Sequence, residues 1–356
     1  MKSTRGNFFE DFRKGQVLEH PTPRTVTEGD AALYFALYGD RRAVHSASTV
    51  AAALGHPARP LHDWLVFHIV FGKTVGQISL NAVANLGYAG GCWLRPVYPG
   101  DTLRAVSEVL GTREVSSGKA GIVTVETRGL DQRDEVVLRY ARWVMVEKRD
   151  PSRPTGAADS PALPKIVPAS ALAPPPHLDG ARFSEVAWAT GGSALFEDYE
   201  IGERIDHVDG TTIDEAEHTL ATRLYQNTAR VHFNQHQMAG SRFKRRLVYG
   251  GHVISVASAL AVNGLENVLG VLALNGGTHA NPTFAGDTIY AWSEIADKAE
   301  LGRHLGALRV LLVAVKDVDP SREPVSRKVK NQKGEEVHDP RVVLELDLWL
   351  LVPRRA

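Results

Sequence analysis

The sequence contains one cysteine, Cys92, in 356 residues. No internal disulfide can form, so a reducing compartment is expected. With no clustered Cys/His set, a structural zinc site is not expected either. An excess of one charge is also missing: 41 Lys and Arg balance 41 Asp and Glu. That balance argues against nucleic acid or an anionic membrane as partner, although a local basic patch could still hold phosphates. No apolar run approaches the roughly 20 residues that cross a bilayer. The opening segment lacks the apolar stretch of a secretory signal. The hydrophobic content of 43% and charged content of 23% are those of an ordinary globular protein. The expectation is a cytoplasmic protein with no membrane association.

What the sequence does contain is an internal repeat. Phe9-Glu10-Asp11-Phe12 returns as Phe196-Glu197-Asp198-Tyr199, 187 residues on. Thr25-Val26-Thr27-Glu28 returns as Thr212-Ile213-Asp214-Glu215, and Val44-His45 as Val231-His232, at the same offset of 187. Residues 96–103 (Pro-Val-Tyr-Pro-Gly-Asp-Thr-Leu) match 282–289 at 186, which is one net deletion. Four blocks in register indicate a duplicated domain. Between the copies, prolines crowd residues 151–176. Such a stretch joins neither ladder nor helix and acts as a semi-rigid connector. The expected organisation is an N-terminal domain over 1–150, a Pro-rich linker over 151–180 and a C-terminal domain over 181–356. The connector is expected to wrap a single pseudo-dimer.

Each copy holds a helix candidate that is apolar nearly all round, at residues 63–71 and 252–262, and such a helix must be enclosed. Strand candidates follow at 122–130 and 136–147 across the turn Asp131-Gln132-Arg133-Asp134, and at 307–316 and 342–352 across a charged excursion. One buried helix followed by long antiparallel strands suggests a sheet curled round a helix.

Gly39-Asp40 followed by His45, with residues 96–103, resembles the MaoC-like dehydratases of the hot-dog fold, whose pattern is Gly-Asp-x-Asn-Pro-Leu-His. Four longer blocks narrow the resemblance to the mesaconyl-CoA hydratase family. They are residues 66–74 (Val-Phe-His-Ile-Val-Phe-Gly-Lys-Thr), 85–91 (Asn-Leu-Gly-Tyr-Ala-Gly-Gly), 224–234 (Leu-Tyr-Gln-Asn-Thr-Ala-Arg-Val-His-Phe-Asn) and 284–294 (Phe-Ala-Gly-Asp-Thr-Ile-Tyr-Ala-Trp-Ser-Glu). The similarity covers essentially the whole length outside the linker. It implies an α+β tandem (double) hot-dog, each half an antiparallel sheet wrapped round a central helix. It also implies reversible hydration of an enoyl-CoA thioester, mesaconyl-CoA to beta-methylmalyl-CoA. No metal or redox cofactor is expected, and CoA enters as part of the substrate.

Hydrating an enoyl thioester requires a base for water, an acid for the α carbon, and donors for the thioester oxygen as it gains enolate charge. A helix N-terminus opening on glycine supplies such donors. Asp and His five apart differ by about 500° on a helix, so they converge only if the segment bends. The two copies divide this equipment. The second keeps His232 and the Tyr249-Gly250-Gly251 run, with Asn227 where the family pattern has Asp. His232 is the expected acid/base, Asn227 and Asn234 the holders of water, and the Gly251 N–H an oxyanion donor. Gly250 and Tyr249 are expected to bind substrate. Arg242 to Arg246, just ahead of the glycines, are expected to meet CoA phosphates or a free carboxylate of the substrate. Asp40 with His45 is the alternative pair, better matched in side chains but with Asp63 set against Gly251. His68, His252 and His279 read as packing or hydrogen-bonding residues. Two other functions compete: a hot-dog acyl-CoA thioesterase and a non-catalytic acyl-CoA-binding protein. Sheet edges suggest a homo-oligomer, dimer or higher.

Overall fold

The computed structural model describes residues 2–355. Each copy contributes five strands to one large sheet. The first supplies β1 (Val17–Thr25), β2 (Ala82–Trp93), β3 (Thr102–Glu114), β4 (Ala120–Leu130) and β5 (Val136–Glu147). The second supplies β6 (Arg204–Thr212), β7 (Gly270–His279), β8 (Thr288–Glu300) and β9 (Leu305–Lys316). After a two-stranded hairpin of β10 (Lys328–Lys330) and β11 (Glu336–His338), it ends with β12 (Val342–Pro353). The charged excursion is therefore that hairpin. The ten long strands form one sheet in the order β1-β3-β4-β5-β2-β7-β12-β9-β8-β6. The halves meet where β2 pairs antiparallel with β7, from Tyr88 opposite Gly277 to Cys92 opposite Ala273.

The repeat extends to single hydrogen bonds. His20 meets Ser107 Oγ at 2.8 Å, and His207 meets Ser293 Oγ at the same distance. Thr25 and Thr102 hydroxyls pair at 2.8 Å, and Thr212 and Thr288 at 2.7 Å.

Four longer helices accompany the sheet: α1 (Glu28–Tyr38), α2 (Asp63–Thr74), α3 (Glu215–Leu224) and α4 (Gly250–Leu260). α2 and α4 are buried together against one face of the sheet in a single core. α2 is enclosed along all but its first residue, as its apolar circumference requires. It runs on past residue 71 and ends in a π-helical turn, Val75–Ser79. α4 starts two residues earlier than its apolar spacing suggests. Gly250 and Gly251 form its first turn, with Tyr249 as N-cap. Glycine costs little there because the first N–H groups have no helical partner in any case. The helix starts therefore correspond at an offset of 187, which sets Asp63 against Gly250 and Trp64 against Gly251.

The proline-rich connector lies over the opposite face of the sheet. Val167, Leu172, Phe183 and Val186 are buried there with Cys92, Ala273 and Trp349. The Trp349 indole donates to Val167 O at 3.0 Å, and Val167 N–H donates to Asn275 Oδ1 at 2.8 Å.

Candidate active site

Asn227 and His232 reach one place because the chain bends between them. After α3, Gln226 takes a positive φ of 54° and redirects the backbone. Asn227 Oδ1 then accepts the Ala229 N–H at 2.9 Å, and a single 3-10 turn carries His232. A loop leading into a short helix also joins Asp40 to His45 in the first copy. His232 Nδ1 donates to Leu247 O at 2.9 Å. That bond fixes the tautomer, so Nε2 carries the lone pair. Burial pushes the imidazole down to about 4, which keeps it neutral with the Nε2 lone pair free to accept a proton.

Beside His232 the start of α4 is open. Tyr249 makes no side-chain cap bond. Among the described residues the N–H groups of Gly250 and Gly251 have no acceptor. A Cβ on Gly250 would stand 2.4 Å from His279 Cε1, so the backbone there is approachable only because it is bare.

These groups face a cavity of about 340 Å³. The second copy contributes Asn227, His232, Arg242, Tyr249 and Gly250 to its wall, while the first contributes Phe71, Asn85, Tyr88 and Arg142. No described Asp or Glu lines it. His279 lines it too, with Nε2 3.2 Å from the Tyr88 hydroxyl, and burial holds its ring down at about 4. His279, expected as a packing or hydrogen-bonding residue, makes such a bond and also lines the cavity, whereas Tyr88 and Arg142 were not expected there. Arg142 carried a readable signal: it shares strand parity with Leu138, Tyr140, Val144 and Val146, all of them buried.

Three expected residues stand elsewhere. Gly251 is one residue deeper than the wall, and a Cβ on it would meet the Tyr249 ring at 2.3 Å and His68 Nδ1 at 2.6 Å. Gly250 takes the place at the surface of the cavity. Asn234 is exposed, and its Oδ1 accepts the Gln237 N–H at 3.0 Å, which makes it a helix cap rather than a holder of cavity water. Arg246 is bound to the Glu215 carboxylate and, at 3.1 Å, to Thr219 Oγ1. Arg242 remains at the mouth, exposed, with its guanidinium 4.3 Å from the Phe243 ring centre.

The alternative pair in the first copy is closed off. Arg42 Nη1 lies 2.6 Å from Asp40 Oδ2, the Arg42 backbone N–H donates to Asp40 Oδ1 at 2.9 Å, and His62 Nε2 stands 3.0 Å from Oδ2. Burial alone would raise the Asp40 carboxyl, but Arg42 and His62 outweigh it and hold it well below the usual carboxylate range. His62 Nδ1 also accepts the Trp64 N–H at 3.1 Å, so this helix start is capped. The space beside His45 and Asp63 amounts to about 40 Å³. That accommodates a water or two but no acyl thioester.

Two repeated five-stranded halves, sharing one antiparallel sheet around paired central helices, define a double hot-dog protein of the MaoC-like class. The chain belongs to the mesaconyl-CoA hydratase family, whose profile matches residues 2–329. It is 55% identical over 357 residues to the beta-methylmalyl-CoA dehydratase of Chloroflexus aurantiacus, covering 100% of this chain and 99% of that one. It is 52% identical over 356 residues to the mesaconyl-CoA hydratase of Cereibacter sphaeroides, covering 99% and 100%. The crystal structure of a MaoC domain protein from Chloroflexus aurantiacus superposes with a TM-score of 0.92 at 52% identity, over 100% of both chains. A double hotdog protein from Mycobacterium tuberculosis superposes at 0.77 with 27% identity, over 98% and 99%.

Proposed function

We propose that this enzyme, a hydro-lyase, adds water reversibly to mesaconyl-CoA to give beta-methylmalyl-CoA, and that the reaction runs in the second-copy cavity. The observation that carries the proposal is the free Nε2 of a neutral His232 beside the uncapped N-terminus of α4. His232 takes a proton from water as the oxygen bonds to the β carbon. The electron pair of the double bond moves toward the thioester oxygen, where the Gly250 N–H meets the growing charge. The imidazolium then returns its proton to the α carbon, so one H and one OH are added. Asn227 cannot act as a base at neutral pH. Its Oδ1 is engaged by Ala229, which leaves its Nδ2 to hold the oxygen of the water. No described carboxylate lines the cavity, so both proton transfers fall to imidazole. Arg242 at the mouth suits a CoA phosphate.

CoA enters only as part of the substrate, with no separate cofactor. The cytoplasm suits a chain with one buried thiol. No described helix is long and apolar enough to cross a membrane. Self-association through the sheet edges β1 and β6 belongs to the same proposal, with light scattering as its check.

The enzyme is tested with mesaconyl-CoA by following the conjugated thioester absorbance together with free thiol. Loss of absorbance at constant thiol is expected. Thiol release would move the chain to the thioesterases, and tight binding without turnover would make it a carrier of acyl-CoA.

A further inference from the structure

Arg142 is fully buried, yet its partners are all neutral. Nη2 donates to Thr74 Oγ1 at 2.9 Å and to Ser79 Oγ at 2.8 Å, and Nη1 donates to Asn85 Oδ1 at 3.3 Å. The guanidinium lies 4.4 Å from the centre of the Phe71 ring, and its Nε–H has no acceptor. The ionisable groups that act on it are three tyrosines, 140, 88 and 249, and no acid. A buried cation without an anion is costly, and folded chains rarely keep one for stability alone.

The fold itself does not need a charge at this place. In β12, which repeats β5 at an offset of 206, the same buried position holds Leu348. What distinguishes the Arg142 site is the cavity it faces. Asn85 and Tyr249 line the same cavity, and Asn85 Nδ2 and the Tyr249 hydroxyl are both buried without a partner. This part of the wall therefore holds donors with nothing to donate to, an incomplete set that a carboxylate would complete. The reacting end is close by: the Tyr249 ring lies 5.5 Å from His232 and 5.7 Å from Phe71, on which Arg142 rests. The π-helical turn that closes α2 brings Ser79 to the guanidinium and so fixes its direction.

We propose that Arg142, supported by Asn85 and Tyr249, binds the free carboxylate of a dicarboxylic acyl group and so selects it over a neutral enoyl-CoA. This rests on the hydratase reading above. It moves the recognition of the free carboxylate from the exposed run Arg242 to Arg246 to a residue of the first copy. Catalysis and selection then come from different halves of the duplication.

The test compares mesaconyl-CoA with its carboxyl methyl ester and with 2-methylcrotonyl-CoA, in which a methyl group replaces the carboxylate. The wild type is expected to prefer the free acid over both. In Arg142→Met the ratio of kcat/KM for mesaconyl-CoA over 2-methylcrotonyl-CoA is expected to fall about 100-fold, because a site built for a polar group discriminates strongly. Arg142→Lys is expected to restore part of that ratio. Equal losses on both substrates would leave Arg142 a purely structural residue and overturn the proposal. A wild type without preference for the free acid would overturn it even if no variant folds. Calorimetric binding of the same thioesters separates the two readings. If the wild type binds mesaconyl-CoA through Arg142 but hydrates nothing, the hydratase reading fails and the carboxylate site stands.

Discussion

Asp63 Oδ2 stands 3.7 Å from His45 Nε2, in the place that Gly250 leaves bare beside His232. Both histidines are anchored alike, His45 on Pro60 O at 3.4 Å and His232 on Leu247 O at 2.9 Å. The two copies therefore share the means of aiming an imidazole and differ in what it is aimed at. His232→Ala is expected to lower kcat/KM for hydration by about a thousandfold, since general acid–base groups contribute roughly 10²–10⁴. His45→Ala is expected to stay within a few-fold of wild type. Assays of both variants on mesaconyl-CoA decide the point, and the opposite ranking would relocate the active site to the first copy.

Gly250→Ala tests the open helix start. Its methyl group would sit where a thioester must approach and would press on His279 at 2.4 Å. The φ at Gly250 is not in the left-handed region, so the backbone accepts alanine without strain. Activity is expected to fall by about 100-fold or more, the scale of a lost oxyanion contact, with a smaller drop in melting temperature than at Gly251, because the half-buried His279 ring can shift. Gly251→Ala should instead lower the melting temperature, because its methyl group meets Tyr249 and His68 inside the core. Thermal melts run beside rate measurements distinguish the two effects, and a fully active Gly250→Ala enzyme would remove the oxyanion role.

Asp40 carries the residue type that the family pattern assigns to chemistry, yet here it serves the fold. Arg42, which it neutralises, reaches across to α4 and donates to Ser258 O at 2.9 Å. Asp40→Asn leaves that arginine buried without its anion. A broken buried pair of this kind costs about 3–5 kcal/mol. Urea unfolding should show that loss, while the remaining folded enzyme keeps its rate per molecule. A stable but inactive Asp40→Asn protein would contradict the assignment.

The duplication was legible because paired blocks such as Phe9 to Phe12 and Phe196 to Tyr199 keep register over 187 residues. Asn227 and His232 were legible by the same register. The helix start was misaligned by one residue, since Asp63 was set against Gly251 where the fold sets it against Gly250. That pairing takes an offset of 188, outside the 187 and 186 held by the blocks on either side of the helix, and the helix starts restore 187. Arg142 and His279 were missed for another reason. A strand arginine ordinarily snorkels to solvent. Its burial depends on Thr74, Ser79 and Asn85 closing round it. His279 becomes part of a cavity only because Tyr88 of the other copy lies across the β2–β7 seam. Strand parity marks Arg142 as inward-facing, but which groups close round it, and what His279 meets, is not periodic in the sequence.

The buried imidazoles make stability depend on pH in a defined window. His20, His207, His232 and His279 are pushed down to about 4, and His252 to about 3, by burial. In the unfolded chain each would titrate near 6.5. Below that value the unfolded state takes up protons that the folded state refuses. The stability held in full above pH 6.5 is therefore lost progressively as the pH falls toward 4. Each such group removes up to about 1.4 kcal/mol per pH unit. Asp63, raised to about 6 by burial, acts in the opposite sense and offsets one of them. Urea midpoints should fall steeply between about pH 6.5 and pH 5, with uptake of several protons on unfolding. Over the same interval His232 stays a neutral base, so the rate per folded molecule should hold steady. A flat stability profile with a falling rate would mean that His232 titrates near 6.5 and is not held neutral by its burial.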